Sequence, residues 1–219
     1  MLFTIDFWLK ILQHLPAITS FIGIIVGVFI YKKIDIGSKY LFFYLVIALI
    51  AYLLSRYIAI AFNNNLILIP IFGFIELLLF SMLYHRFLFK NSNRVFQLII
   101  GVLLLLIIID IATCNPFESE KFKSYGRVID SVALVFISLY YYWKVLKNDV
   151  QKDGHILVFN GIVLLFFLLN SIWFLIVNFL VNTPNKIMFP IWLINAIAMP
   201  LFYLYLAYYI WHNGKIQKR

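Results

Sequence analysis

The stretch that decides the fold is Pro70–Lys90, PIFGFIELLLFSMLYHRFLFK. It is apolar and long enough to cross a bilayer as a helix, which takes about 20 residues. One carboxylate, Glu76, interrupts the apolar run. An ionised side chain at that depth costs at least about 2.5–3.5 kcal/mol, so the sequence predicts a compensating group. The nearest candidate is Arg56 in the preceding apolar segment, which a helical hairpin brings within reach of Glu76.

Composition assigns the whole chain to the same class as this stretch. The 219 residues are 64% hydrophobic and 12% charged, with a mean hydropathy of +0.98, whereas soluble domains are about a quarter charged. The chain is therefore expected to be an integral membrane protein surrounded by the lipid bilayer. The net charge of +9 is not concentrated in a basic run, so nucleic acid is excluded as a partner. A single cysteine, Cys114, excludes an internal disulfide.

Seven apolar segments predict an all-α bundle of seven transmembrane helices forming one domain over residues 1–219. Residues 1–13 are interpreted as a short interfacial segment, and Asn63–Asn65 as a tight turn between the second and third spans. The polar stretch 114–127 is interpreted as the one loop with soluble character. The predicted spans are about 14–31, 40–62, 66–89, 95–113, 125–145, 156–181 and 189–211.

Loop charges orient the predicted bundle. With these spans, twelve of the 18 lysines and arginines fall on one side and five on the other, with Arg56 inside the membrane. An excess of basic residues marks the cytoplasmic side. The sequence therefore predicts an outside N-terminus, a cytoplasmic C-terminus and a multi-pass membrane protein.

Polar residues of the spans gather at a similar depth on the outer side, which predicts a ligand-binding polar cavity open to the outside. On the cytoplasmic half the sequence offers Asn160, the boundary residue His85 and little more. The predicted site residues are Arg56, Glu76, Asp110, Arg127, Asp130, Asn178 and Asn195.

The charges of this predicted site do not cancel, because two arginines face three carboxylates. Arg127 and Asp130 stand at i and i+3 of one helix and can pair with each other. One carboxylate is then left over, and three outcomes are open: a protonated acid, a cationic ligand, or Asp110 solvated at the rim. For Glu76 with Arg56, a structural ion pair and a ligand contact are both open.

Two further features each have a packing and a functional interpretation. Gly23 and Gly27 form a GxxxG pair, which indicates either packing inside the bundle or a dimer seam. Pro200 in the last span indicates either a fixed kink or a hinge that couples the outer cavity to the cytoplasmic end.

Residue sets for known chemistry are lacking in the sequence. Histidines fall at span boundaries without metal-ligand spacing, Cys114 has no nearby histidine, and no phosphate-binding glycine loop occurs. No metal, cofactor or catalytic residue is predicted, and the pattern favours a protein that is not an enzyme.

The second half of the chain resembles a family. The segments FKSYGRVIDSVALVFISLYYYWKVLK, ILVFNGIVLLFFLLNSIWFLI and IWLINAIAMPLFYLYLAYYIW, with FGFIELLLFSMLYHRFL of the third span, resemble seven-span bacterial membrane proteins frequent in Bacteroidota. Members occur alone or as the membrane sensor half of histidine kinases. The resemblance implies a location in a bacterial cytoplasmic membrane and a signalling role through a separate partner, such as a histidine kinase or another membrane protein.

The expected function is therefore a receptor-like sensor or transducer that binds an unknown small ligand. Two alternatives stay open. A small-solute transporter needs a polar pathway through the cytoplasmic half, and an intramembrane lipid-processing enzyme needs an acid–base set that could begin only with Glu76 and Asp110.

Overall fold

The computed structural model describes residues 2–89, 94–113, 125–150, 153–180 and 188–216. Within these ranges all regular structure is helical, and each of seven helices contains a segment long and apolar enough to cross a membrane. The chain is thus a multi-pass all-α membrane protein, and the predicted fold class is confirmed. The helices are α1 Leu2–Ile30, α2 Ile36–Phe62, α3 Leu68–Leu83, α4 Arg94–Thr113, α5 Tyr125–Leu146, α6 Gly154–Leu180 and α7 Met188–Ile216.

The first helix differs from the prediction. Residues 2–13 are not separate from the first span, because α1 runs without a break from Leu2 through Pro16 to Ile30. Proline removes one backbone donor but is tolerated inside membrane helices when neighbouring groups adjust. The Thr19 hydroxyl donates to the carbonyl oxygens of Leu15 and Pro16 at 2.9 and 3.1 Å, so its side chain bonds back to the helical turn that contains the proline.

The predicted turn at Asn63–Asn65 is confirmed. Asn63 has a φ of 54°, a left-handed conformation that asparagine adopts more readily than most residues, and α2 ends just before it. The Asn65 amide donates to the Ser55 hydroxyl at 2.6 Å, which holds the turn against the last part of α2. The predicted loop over 114–127 lies outside the described residues up to 124, and Tyr125 begins α5.

Contacts divide the chain into two compact units. The first unit consists of α1, α2 as far as Leu53, and α7. A Cβ on Gly23 would lie 2.5 Å from Leu45 and 3.3 Å from Ala207, so this glycine allows close packing inside the unit. Gly27 is covered in the same way by the Phe42 ring. The interpretation of the GxxxG pair as packing inside the bundle is confirmed, while a single domain over 1–219 stays a prediction.

The second unit begins at Leu54 and contains α3, α4, α5 and α6. Helix α5 packs against the other three and buries a polar face that includes Arg127, Asp130, Ser131 and Ser138. Helix α3 continues beyond Leu83 as a π-helical turn over Tyr84–Leu88. Such turns occur frequently at functional sites in proteins, and this one begins at a buried tyrosine.

The outer surfaces of both units are apolar. Phe29, Ile60 and Leu146 are 82, 82 and 78% exposed, which in water would be unfavourable for side chains of this size. The buried positions of the second unit, in contrast, hold charged and hydroxyl groups. Apolar residues outside and polar residues within are what a bilayer environment requires, since lipid replaces water around the helices.

Candidate functional site: a buried charged cluster

Arg127 joins two carboxylates inside the second unit. Its Nη1 donates to Glu76 Oε2 on α3 and, at 2.7 Å, to Asp130 Oδ2 one turn later on α5. The side chains of Glu76, Arg127 and Asp130 are 0, 2 and 0% exposed. We refer to these three residues as the charged cluster. It forms a closed interior site in this state, and the predicted opening to the outside stays a prediction.

Aromatic rings compensate much of the cost of burying the guanidinium. The Cζ atom of Arg127 lies 5.2 Å from the ring centroid of Phe72 on α3 and 5.1 Å from that of Phe174 on α6. A desolvated cation over such a ring gains about 2 kcal/mol. Gly73, next to Phe72, provides room for this arrangement, because a Cβ there would lie 3.3 Å from Arg127 Cδ and 3.5 Å from Asp130.

The charged cluster contains one cation and two carboxylates. Both carboxylates contact the same guanidinium nitrogen, so their oxygens lie close together and repel each other when both are ionised. Asp130 Oδ1 is buried and has no hydrogen-bond partner among the described residues. Buried carboxylate oxygens normally have a donor. Counted over these three side chains alone, the charge is −1 when all are ionised, and Asp130 Oδ1 is an unused acceptor among the described residues; both favour a bound proton or another cation.

Asp110 has a different role from the charged cluster. Its carboxylate accepts the backbone N–H groups of Tyr125 at 3.3 Å and Gly126 at 2.8 Å, at the start of α5. The first N–H groups of a helix lack partners within the helix, and a negative charge there is stabilised by the helix dipole. Asp110 therefore connects the end of α4 to the beginning of α5.

The predicted ion pair between Arg127 and Asp130 is confirmed, and Arg127 also pairs with Glu76, a contact that was not predicted. Arg56 lies near the end of α2 with an exposed side chain, and its pairing with Glu76 stays a prediction. Asn178, partly exposed, follows Phe174 by one turn of α6. Asn195 belongs to α7 in the first unit, so the presence of these two asparagines in the site also stays a prediction.

A second polar group, which we call the hydroxyl–amide cluster, consists of Tyr84, Ser138 and Asn160. The Tyr84 hydroxyl donates to Asn160 Oδ1 at 2.5 Å, and the Asn160 amide donates to the Ser138 carbonyl oxygen at 3.1 Å. The Tyr84 proton is thereby used, so the Ser138 hydroxyl is the donor across its 2.8 Å contact with Tyr84. All three side chains are fully buried. This ring of hydrogen bonds connects α3, α5 and α6.

Apolar side chains separate the two polar clusters. Phe80 lies four residues from both Glu76 and Tyr84 along α3, and its ring meets that of Phe167 on α6 edge to face, with the centroids 5.2 Å apart. On α5, Leu134 lies midway between Asp130 and Ser138 and is 0% exposed. We call Phe80, Leu134 and Phe167 the apolar layer, which lies between the two clusters along α3 and α5.

Comparison of the chain with protein-family models, curated proteins and solved structures finds no match. The resemblance to Bacteroidota membrane proteins accordingly stays a prediction, and the function is argued from the site. In the part of the chain that the structure describes, no three His, Cys, Asp or Glu residues form a group that could hold a metal ion.

Several members of these clusters were missed by sequence reasoning. Phe72 and Glu76 stand at i and i+4 on α3, so helical periodicity places them on one face, and this signal could have identified the ring. Ser131 and Ser138 lie on the same face of α5 as Arg127, but serine inside a span rarely attracts attention. Asn160 was expected to be nearly alone in the half predicted to be cytoplasmic, whereas the structure gives it Tyr84 and Ser138 as hydrogen-bond partners.

Proposed function

We propose that this protein is a receptor-like transducer of a bacterial cytoplasmic membrane, and that its sensing site is the charged cluster. The observation that supports it is the pair of fully buried carboxylates, Glu76 and Asp130, on one guanidinium nitrogen. Charged groups inside a membrane are costly and usually serve a function. The unused acceptor Asp130 Oδ1, beside a second carboxylate, favours a positively charged ligand, of which the proton is the smallest.

Binding of a cation would alter the forces between α3 and α5. Glu76 belongs to α3, whereas Arg127 and Asp130 belong to α5. With the excess charge neutralised, repulsion between the two carboxylates falls and the helices are held closer by the remaining pair. A ligand shifts a conformational equilibrium only when it binds the two states with different affinity. Because the cluster joins α3 to α5, a cation bound there has a different affinity for states that differ in the distance between these helices.

The route to the other end of the unit follows α3. Glu76, Phe80 and Tyr84 stand at four-residue intervals, so a movement of α3 affects the charged cluster, the apolar layer and the hydroxyl–amide cluster together. Tyr84 is about 12 Å along the helix from Glu76 and begins the π-helical turn. The transducing element is therefore this turn. A hinge at Pro200, in α7 of the first unit, stays a prediction.

Output would pass to a separate partner, such as a histidine kinase, at the cytoplasmic side. The support is the loop charge, which predicts a cytoplasmic C-terminus, together with the family resemblance. Labelling of single cysteines at positions 64 and 121 from outside and at 90 and 152 from inside tests the orientation, and reversed labelling would reject it. A neighbouring kinase or response-regulator gene supports signalling, whereas lipid-pathway genes support the enzyme alternative.

The conformational part of the proposal can be tested by a distance measurement between α3 and α5. In a Cys114→Ser background, Met82 and Leu139, which are 39 and 47% exposed, are replaced by spin-labelled cysteines. We expect the distance distribution in lipid nanodiscs to change between neutral and acidic buffer, or on addition of a monovalent cation. Asp130→Asn, which removes the excess charge, is expected to abolish that change.

Asp153→Asn is the matched control, since it makes the same substitution at an exposed carboxylate that accepts the His155 backbone N–H. It should leave the response of the labelled protein intact. Sensing at the charged cluster is rejected if Asp130→Asn responds like the unsubstituted protein, or if the unsubstituted protein shows one distribution under all these conditions.

A transporter is the second candidate, and the hydroxyl–amide cluster favours it. Tyr84, Ser138 and Asn160 give the cytoplasmic half a polar site that the sequence did not indicate, and Ser131 Oγ is a further buried group without a partner among the described residues. Transport would require the apolar layer to open. Proton flux into proteoliposomes, measured with a pH dye, separates the two functions, because a transducer moves no net protons.

A further inference from the structure

A groove runs between α4 and α5 on the lipid-facing side of the second unit. It has a volume of about 540 Å3, within the range of ligand sites in proteins. Its lining is almost wholly apolar and includes Val95, Phe96 and Leu103 of α4 and Ile129, Val132 and Phe136 of α5.

The groove exists because α4 packs loosely. Of its 20 residues, α4 buries only Ile100 and Ile107. Asp110 fastens the far end of α4 to the start of α5 through the Gly126 backbone N–H. The two helices therefore run antiparallel, and the beginning of α4 lies beside the end of α5. Val95 and Phe136, which line the groove, are 62 and 66% exposed, so the groove opens toward the hydrocarbon of the bilayer.

Cations stand at one end of this groove. The Phe89 ring contacts both Phe96 and Tyr140, with centroids 5.4 and 5.3 Å apart, and both of these rings line the groove. Lys144 Nζ lies 5.5 Å from the centroids of Phe89 and Tyr140. Arg94, which precedes Val95, is exposed. Among the described residues neither Lys144 nor Arg94 has a carboxylate partner.

We propose that this groove is a binding site for one anionic phospholipid, with an acyl chain between α4 and α5 and the phosphate at Lys144 and Arg94. The occupant must come from the bilayer, because the groove opens to hydrocarbon. Two cations at its end, neither with a carboxylate partner in the part of the chain that the structure describes, select a net negative headgroup over a zwitterionic one. Lys144 lies one turn beyond Tyr140, about 6 Å along the helix. This is where the headgroup of a lipid would lie if its acyl chain occupied the groove. The site is independent of the charged cluster.

Native mass spectrometry of the detergent-solubilised protein tests the site, with phosphatidylglycerol and phosphatidylcholine titrated separately. We expect one phosphatidylglycerol to bind more tightly than phosphatidylcholine. Lys144→Gln should weaken phosphatidylglycerol binding roughly fivefold, the effect of one basic residue at a membrane surface, and Lys144→Arg should preserve it. Lys147→Gln is the matched control, since Lys147 Nζ lies over Trp143, which does not line the groove.

Occupation of the groove itself is tested by filling it. Val132→Trp places a large ring inside the groove and should remove the bound lipid of either headgroup. Leu139→Trp makes a similar change at an exposed position of the same helix outside the lining and should leave binding unchanged. The proposal is overturned if Lys144→Gln and Lys147→Gln weaken binding equally, which indicates general surface charge, or if Val132→Trp retains the lipid.

Discussion

Arg127→Met is the substitution that most directly tests the charge balance of the interior. It leaves Glu76 and Asp130, both 0% exposed, without the guanidinium that they share. Removing one partner of a buried ion pair costs about 3–5 kcal/mol. The Phe72 and Phe174 rings lose their cation as well. We therefore expect Arg127→Met to lower the free energy of unfolding by at least about 3 kcal/mol.

Neutralising a carboxylate should have a much smaller effect. In Glu76→Gln or Asp130→Asn, Arg127 still faces one ionised carboxylate, and the amide oxygen still accepts a hydrogen bond. A typical hydrogen bond contributes about 0.5–1.5 kcal/mol, so each variant should lose less than about 1.5 kcal/mol. The triple variant with all three changes leaves the charged cluster without charge, and we expect it to recover more than half of the Arg127→Met loss.

Reversible unfolding in mixed micelles, with increasing SDS and detection by near-ultraviolet circular dichroism, measures these differences. Lys147→Met is the control for loss of a cation from α5, because Lys147 is exposed and surface changes stay within about 0.5 kcal/mol. The reasoning is refuted if Glu76→Gln and Asp130→Asn each cost as much as Arg127→Met, or if the triple variant is the least stable of the series.

Three other expectations follow from the packing and can be measured by the same unfolding assay. Tyr84→Phe keeps the ring but removes two hydrogen bonds, each of which contributes about 0.6 kcal/mol, and at most about 1.7 kcal/mol, to the free energy of unfolding. The loss of stability should be smaller when Asn160→Leu is already present. Additive losses in the two variants would contradict the hydrogen bond. Gly126→Ala places a Cβ 2.9 Å from the carboxylate that caps α5 and should cost about 1–3 kcal/mol, with no loss arguing against the cap. Gly23→Ala should lower the free energy of unfolding by about 1–3 kcal/mol, because the added methyl overpacks the site. Gly101→Ala, with nothing within 4 Å of its Cβ, should raise it by about 0.4–1 kcal/mol. Equal effects of the two substitutions would reject the close contact at Gly23.

The fold was predictable because the physical requirement behind it is local. A helix that crosses hydrocarbon must be long and continuously apolar, and each of the seven segments shows that property without reference to the others. The turn at Asn63–Asn65 was also predictable, since asparagine tolerates the left-handed conformation. The start of α1 was not, because an apolar segment that lies on a membrane and one that extends a spanning helix have the same composition.

The partners inside the site were less predictable, because they depend on which helices pack together. Sequence proximity selected Arg56 for Glu76, since a hairpin brings consecutive helices side by side. The structure shows that α3 packs on α5, which brings Arg127 to the same carboxylate. Gly73 allows this approach, but the residues next to Gly73 in the sequence do not indicate that it affects α5, two spans later. Depth in the membrane identified three members of the charged cluster, but not the rings that cover it.

The arrangement of polar groups on α3 explains why a single helix can connect both ends of the second unit. Glu76 is held by a charge on α5, Phe80 by a ring on α6, and Tyr84 by groups on both helices. Packed side chains change between discrete arrangements rather than deforming continuously. A shift of α3 that relieves the carboxylates must therefore also displace Phe80 from Phe167 and the Tyr84 hydroxyl from its two partners. The i→i+5 bond from Phe89 N–H to the Tyr84 carbonyl oxygen, 2.8 Å long, lies at the point where that shift would be absorbed.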